Sequence, residues 1–549
     1  MKISRRHFTL ASLASIGALS ANRAVAAWPS LLTAANKIPG EIVGVSSHLG
    51  HKLRGNDFPP PSQTLRHEVV IVGGGIAGLA AGYRLSKAGA NDVLLLELEK
   101  AVGGNSSSGN NAVTAYPWGA HYVPLVTGES TAVKRLFEEL GIITGYNPQG
   151  LPIYNEFYLC ADPAERLYLY GRWQEGLVPN IALSREEQQQ YQRFFSILSQ
   201  YKTIKGADGK KVFAIPVDKS SQDAEWLGLD EMTMEQWLDQ HGYTSPHLRW
   251  YVNYCCRDDF GSTLAQTSAW AGLHYFASRS GKAANTHAQN VITWPEGNGW
   301  LARQLAAPLQ AAGRIRSNAL AYHIQDKSGK ISVDYWDSER KHTIRIETKA
   351  VIVATPRFVA ARLLDSDRFK LSAAEFSYSP WAVANITLGK LPGGAGAPLS
   401  WDNVAYHSNM LGYVVATHQI PQMSSRKTVI TYYWPLSHLA PDTARREAQD
   451  RSYTDWQQRV VAELLNLHPE LQGHIERVDI CLWGHAMVRP TQGFIWGKAR
   501  RQALKQYPPI FFAHSDMSGI SLFEEAYTHG ATAAARVISH RKSSRKKST

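Results

Sequence analysis

The chain is 549 residues long, 44% hydrophobic and 19% charged, which is too long for a single hydrophobic core and too apolar for a disordered protein. Its net charge of +12 is an effect of the two ends: Lys2, Arg5, Arg6 and Arg23 lie in the first 26 residues without an acid, and Arg541, Lys542, Arg545, Lys546 and Lys547 lie in the tail 541–549. The body between is close to neutral, which excludes a nucleic-acid surface as the meaning of the basic pI and leaves the tail as a solvated, disordered segment.

Residues 1–26 have the three parts of an export signal. Lys2, Arg5 and Arg6 form the charged region, Leu10 to Ser20 an apolar run too short to span a bilayer, and "AVA" at 24–26 a small-residue cleavage site. The core "SRRHF", Ser4 to Phe8, resembles the twin-arginine signal. That implies passage through the twin-arginine translocase, which carries folded proteins, and a periplasmic or otherwise exported mature chain without stable membrane insertion. Residues 27–66, with "PG" and "RGNDFPPP", read as an extended arm with no assigned role.

From His67 the pattern changes. "EVVIV" is a short β-branched run, right for a buried parallel strand. Gly73, Gly75 and Gly78 follow in G-x-G-x-x-G spacing, then a small-residue helix opening at Ile76 and Ala77, then the strand "DVLLLE" ending at Glu97 and Leu98. Each part has a physical role. Gly73 permits the tight turn, Gly75 lets a pyrophosphate approach the backbone, and Gly78 lets the helix pack on the sheet. The helix start offers N–H groups and a positive dipole to phosphate, and Glu97 is placed to bind ribose hydroxyls. A dinucleotide cofactor is expected.

Further along, "STAVKRLFEELGI", "LSREEQQQYQRFFSILSQY" and "TMEQWLDQHGY" show helical spacing, with Ser130, Ser184 and Thr233 as expected N-caps. A strand-rich run covers Ile315 to Thr355. Strands such as "WAVANITL" and "KTVITYYW" precede a helix expected from Asp450 to Leu467, and "IFFA" leads to Asp516. The cysteines, Cys160, Cys255, Cys256 and Cys481, have no metal-ligand spacing. Buried thiols are expected, with a Cys160–Cys481 bridge open to an exported protein.

Several segments, in order, resemble the flavin-containing amine oxidase superfamily, which includes protoporphyrinogen oxidase and phytoene desaturases. "EKAVGGN" matches its acid and double glycine at Gly103 and Gly104, "YPWGAHYVP" its segment near the flavin ring, "KAVIVATP" its sheet return through Ala354, and "FFAHSD…LFEEAYTHGATAAA" its closing FAD motif. The resemblance implies an α/β fold: an FAD-binding Rossmann-like domain of the glutathione-reductase type with an inserted α+β substrate domain. The FAD-binding parts would be 67–130, 286–365 and 501–540, and the substrate parts 131–285, mostly helical, and 366–500. It implies non-covalent FAD held by Gly73, Gly75, Ile76, Ala77, Gly78, Glu97, Leu98, Gly103, Gly104, Asn105, Gly119, Ala120, His121, Ala321, Ala354, Asp516, Leu522 and Phe523, with Ile324 as a further adenine contact. A helix starting near Phe523 would aim N–H groups at the flavin. His121, His485 and Trp496 are the catalytic candidates, with Phe494 beside them.

The sequence also departs from the family. Asn105 replaces an arginine of the double-glycine run, and His514 replaces a glycine of the closing motif. Ala384 falls where amine oxidases place a lysine near the flavin, Leu522 where one wall of an aromatic cage belongs, and Ile495 where a flavin-linking cysteine belongs. The implied activity is hydride transfer from a small organic substrate, an amine or polyamine, to FAD. The alternatives are desaturase- or protoporphyrinogen-oxidase-like dehydrogenation of a non-amine carbon, a non-redox flavoenzyme, and a flavin-bound protein without turnover.

Overall fold

The structure, a computed structural model, describes residues 38–547 except 45, 56, 328–329 and 421–425. The expected leader lies outside the described residues, as does the first part of the arm.

Two sheets organise the molecule. In the first, parallel strands run in the order Ile315–Arg316, Val93–Leu96, Gln63–Val72, His342–Val353. The last of these is long enough to take two partners on one edge. Ile510–Phe512 pairs in parallel with its C-terminal end, and the antiparallel strands Lys330–Asp337 and Ala319–Lys327 extend from its N-terminal part. Val69, Val70, Ile71, Leu94 and Leu95 are all buried, because helices or strands cover both faces of a parallel sheet and leave no polar alternation. One face packs on the helices Ile76–Lys87, Gly299–Ala311 and Phe523–Lys547, the other on the antiparallel extension and the helix Arg357–Leu363.

The second sheet has eight strands: Ile42–Val43, Ile475–Val488, Tyr378–Leu388, Thr428–Pro435, Gly412–Val415, Asp402–Ala405, Glu165–Leu169 and Arg172–Glu175. The helix Tyr453–Leu467 buries Trp456, Val460 and Leu464 against one face. The other face looks toward the first sheet and a helical lobe built from Arg185–Tyr201, Met234–Gln240, Pro246–Phe260 and Ala269–Ser278.

Local chemistry explains agreements and corrections alike. Ser184 and Thr233 form capping boxes with Glu187 and Gln236. Ser130 does not cap its helix, because its hydroxyl donates instead to the buried Ile215 carbonyl at 2.6 Å. The helix expected from Asp450 to Leu467 starts three residues later, at Tyr453, where a capping box between Ser452 and Asp455 opens it, and a separate helix, Pro441–Asp450, ends just before. Segment 131–285 is not purely helical: Glu165–Leu169 and Arg172–Glu175 complete the second sheet. The tail is not irregular through 541–547, where the last helix continues and Arg541 pairs with Glu68. All four cysteines are buried and none is in a disulfide, so no Cys160–Cys481 bridge forms.

Candidate functional site

A cavity of 1490 Å³ lies between the two sheets, larger than the roughly 300–1,000 Å³ of an ordinary small-molecule pocket. One wall carries the glycine turn. Gly73, Gly75, Ile76 and Ala77 line it, with Glu97, Leu98, Gly103, Gly104 and Asn105 beside them, Ala321 and Ala354 behind, and Asp516, Leu522 and Phe523 at the far end. Gly78 does not line the cavity. A Cβ there would stand 1.9 Å from the Gly73 carbonyl, so its role is to let the helix meet the turn. Gly75 is the converse: a Cβ there would meet nothing within 4 Å, so the missing side chain leaves a cradle open to the cavity. Thr355 Oγ1, on the same wall, is buried with no hydrogen-bond partner. An open cradle and an orphaned hydroxyl at a helix N-terminus fit a pyrophosphate.

The two acids of this wall are held in place. Glu97 accepts from Gly74 N at 2.7 Å and Glu99 N at 2.8 Å, while burial pushes its carboxyl up to about 7. Asp516 accepts from Tyr378 Oη at 2.5 Å and Arg357 N at 2.8 Å. Burial alone would raise it, but His514 and these donors outweigh burial and hold it below the usual carboxylate range.

The opposite wall belongs to the second sheet and to the arm. Tyr378, Trp381, Trp483 and His485 line it, with Arg445 from the helix Pro441–Asp450 and His51 and Arg54 from the arm. The His485 ring lies 4.5 Å from the Phe358 ring, and burial with the nearby Arg445 pushes it down to about 4. It is therefore neutral at neutral pH.

Between the walls runs the segment Pro117–His121, and three strands of the second sheet hold its carbonyls in turn. Asn385 Nδ2 donates to Pro117 at 2.9 Å, Trp483 Nε1 to Trp118 at 2.7 Å, and Tyr433 Oη to Gly119 at 2.9 Å. Ala120 lines the cavity, and His121 does not.

His121 instead stacks on Tyr433 at 4.6 Å and 29°, with Tyr122 and Trp401 at 5.1 and 5.5 Å. Burial pushes its pKa down to about 4. This ring cluster packs in a core that meets the cavity through Trp381, Trp483 and Ala486. Three carboxylates stand around it. Glu165 and Asp402 are register partners on adjacent parallel strands, and Asp258 comes from the helix Pro246–Phe260. Glu165 is exposed and Asp258 and Asp402 half-buried, while Tyr254, Trp401 and Tyr433 beside them are buried. Burial pushes Asp258 up to about 7 and Asp402 well above its ordinary value, each reinforced by neighbouring acids. Arg279, whose guanidinium acts on Asp258, is committed to Asp259. Among the described residues, no ion pair engages Glu165, Asp258 or Asp402.

The predicted site residues thus divide. Those of the glycine wall come together at the cavity, apart from Gly78, which acts behind it, and Gly119, which acts through its carbonyl. Ile324 packs in the core instead of lining the cavity. Trp496 is a correction: its indole packs edge-on to Trp270 at 5.2 Å inside the helical lobe, and its backbone N–H donates to the Asp230 carboxylate at 2.8 Å. Phe494 likewise packs on Phe376. Ala384 and Ile495 are buried away from the cavity. Sequence reasoning missed Glu165, Asp402, Tyr433, Asn385 and Arg445, which no local motif marks, because strand pairing brings them together from distant parts of the chain. Among the described residues no acid, histidine or cysteine cluster suits a metal, and no helix is long and apolar enough to cross a membrane.

Residues 76–538 match the family model for flavin containing amine oxidoreductases. Dimethylglycine dehydrogenase of Rattus norvegicus is 33% identical over 98 residues, 18% of this chain and 11% of that protein. Polyamine oxidase 7 of Oryza sativa subsp. japonica is 42% identical over 66 residues, 12% of this chain and 14% of that one. The chain therefore matches only about a tenth of these curated relatives' length. Among solved structures, a putrescine oxidase bound to putrescine superposes with a TM-score of 0.60 at 16% identity, covering 87% of this chain and 100% of that one. Cyclohexylamine oxidase from Brevibacterium oxydans gives 0.61 at 14%, covering 87% and 99%. A fatty acid isomerase from P. acnes gives 0.58 at 15%, covering 86% and 98%. At these identities the likeness is one of fold. The cofactor of the chain is FAD.

Proposed function

Because the chain belongs to the flavin containing amine oxidoreductase family, and is with it a flavin-dependent oxidoreductase, we propose that it oxidises a positively charged amine, a linear di- or polyamine fitting best. The observation that carries this reading is the cluster where Glu165, Asp402 and Asp258 meet Tyr254, Trp401 and Tyr433, with no ion pair engaging the three acids among the described residues. Clustered carboxylates raise one another's proton affinity until a cation enters, and an ammonium among aromatic faces gains cation–π attraction as well. FAD, when bound, supplies the acceptor for a hydride.

The remaining work belongs to side chains of this protein. The carboxylates bind and orient the ammonium groups. The hydrogen bonds from Asn385, Trp483 and Tyr433 fix Pro117–His121 between the aromatic cluster and the cavity, with Ala120 lining the cavity and His121 packed in the cluster. His121 and His485 are neutral at neutral pH and add no charge that would repel the amine.

The test is a kinetic comparison of Glu165→Gln and Asp402→Asn with the parent, using a linear diamine and a monoamine of equal length. The reading expects KM for the diamine to rise about 10-fold or more, the scale of one lost charge-assisted contact, with a smaller change for the monoamine. Unchanged KM for both would reject it.

A second reading is favoured by one observation. Among the described residues no lysine lines the cavity, Ala384 is buried away from it, and Leu522 gives it an aliphatic wall. Dehydrogenation of a non-amine carbon, as in a desaturase or protoporphyrinogen oxidase, needs neither lysine nor aromatic cage.

Three finer points belong to the same proposal. The parallel order of the first sheet with its three-stranded antiparallel extension supports the glutathione-reductase type of Rossmann-like domain. None of the four cysteines lines the cavity, which supports non-covalent FAD. The Ser4–Phe8 motif supports export through the twin-arginine translocase, as suits a protein that folds around FAD. Replacing Arg5 and Arg6 by lysine should retain the protein in the cytoplasm. Unaltered export would reject that route.

A further inference from the structure

The arm lies ahead of the residues that match the family, which begin at 76, yet it is built into the cofactor cavity. It is anchored on both sheets. Val478 N donates to the Pro39 carbonyl at 3.0 Å and Ile480 N to the Glu41 carbonyl at 2.9 Å, and Ile42–Val43 adds a parallel edge strand to the second sheet. The chain then crosses to the first sheet, where Ser46 N and Oγ both donate to the Glu99 carboxylate, at 2.7 and 2.8 Å. Beyond the crossing, Phe58 stacks on Tyr322 at 4.1 Å and 10°, and Thr343 Oγ1 donates to the Pro59 and Pro60 carbonyls at 2.8 and 2.7 Å. The stretch between these anchors includes the helix Ser47–His51 and the turn Lys52–Arg54, and it contributes His51 and Arg54 to the cavity lining.

The distribution of charge gives this crossing a purpose. The glycine turn brings no basic side chain to the cavity, its nearest ionisable neighbour is the carboxylate of Glu97, and Asn105 stands beside it. A pyrophosphate laid there meets N–H groups and a helix dipole but no full positive charge. The guanidinium groups of Arg54 and Arg445 lie across the cavity and close enough to repel each other. Arg445 is held by Asp442 and by the Tyr378 carbonyl at 3.1 Å. Arg54 makes no hydrogen bond or ion pair among the described residues. Cations gathered around a cavity beyond what nearby acids neutralise are costly unless an anion fills it.

We propose that the arm is the outer half of the FAD site, and that Arg54 together with Arg445 faces the FAD pyrophosphate and supplies the positive charge that the Asn105 position lacks. The ligand chemistry is a diphosphate diester. The inference rests on FAD as the cofactor and not on the amine reading, so its failure and that of the proposed substrate are separate results.

The test compares Arg54→Ala, Arg54→Glu, Arg445→Ala and the double alanine variant with the parent. The holoproteins are scored for bound flavin per chain, and the apoproteins are titrated with FAD and with riboflavin, which lacks phosphate. Each single alanine change is expected to raise the Kd for FAD about 10-fold and the pair about 100-fold, leaving riboflavin unchanged. Parent FAD affinity should fall with added salt more steeply than that of the double variant. The proposal is overturned if FAD affinity stays within about twofold of the parent, or if FAD and riboflavin weaken together, which marks a packing defect. Should the loss of Arg445 disturb folding through Tyr378, the two Arg54 variants decide the matter, since that side chain is exposed and unbonded.

Discussion

Tyr433 Oη donates to the Gly119 carbonyl at 2.9 Å, across 314 residues of sequence. The contact joins the middle of the second sheet to the segment that lies between the aromatic cluster and the cavity, and the Tyr433 ring also carries His121. Tyr433→Phe keeps the ring and loses the hydrogen bond. We expect a stability loss of about 1 kcal/mol, retained FAD, and a fall in kcat larger than any change in diamine KM, because the segment shifts while the carboxylates stay. Steady-state kinetics with a thermal melt checks this. A KM change alone would place Tyr433 in binding and not in positioning.

Gly75 and Gly78 should fail in different ways. A Cβ at Gly75 meets no protein atom within 4 Å, whereas one at Gly78 stands 1.9 Å from the Gly73 carbonyl. Gly75→Val should fold as an apoprotein with the parent melting temperature and bind no flavin. Gly78→Ala should lower the melting temperature of the apoprotein itself. Flavin content and apoprotein melts read both, and an apoprotein destabilised by Gly75→Val would contradict the account.

Asp258 ties stability to pH. Its carboxyl ionises near 3.8 in the unfolded chain and is pushed up to about 7 by burial in the folded one. The folded state holds the extra proton between those values, so this group's contribution is present below about pH 4 and lost as pH rises through about 7. Asparagine stays neutral throughout. Asp258→Asn should therefore melt higher than the parent at pH 8 and close to it at pH 4, while the fall in diamine KM as Asp258 ionises near pH 7 disappears. Equal melting differences at both pH values would contradict this.

Trp496 should behave as core. Its indole N–H has no partner, so Trp496→Phe loses no hydrogen bond, while Trp496→Ala should cost about 3–5 kcal/mol. Neither should change the ratio of diamine to monoamine kcat/KM. A change in that ratio would return Trp496 to the substrate site.

How far these features were legible in the sequence depends on their range. Gly73, Gly75 and Glu97 lie within one strand–helix–strand unit, where local geometry dictates spacing, and they meet at the cavity as the spacing implies. The capping boxes at Ser184 and Thr233 are equally local. Ser130 reads the same way but spends its hydroxyl on Ile215, a partner brought by tertiary packing. Glu165 and Asp402 give no signal at all, because their pairing is a matter of strand register. The arm reads as featureless for a similar reason: its bonds go to Glu99, Thr343 and Val478 and not to itself. Trp496 was misplaced because nearness to the closing motif in sequence is not nearness to the cavity.

The central claim is that a cationic amine reduces the bound flavin. The most direct test mixes the holoprotein anaerobically with linear diamines and polyamines and records the visible flavin band. The account predicts that the band bleaches with at least one of them, and more slowly in Glu165→Gln. A band that dithionite bleaches and no amine does would contradict it and move the search to non-amine carbon substrates.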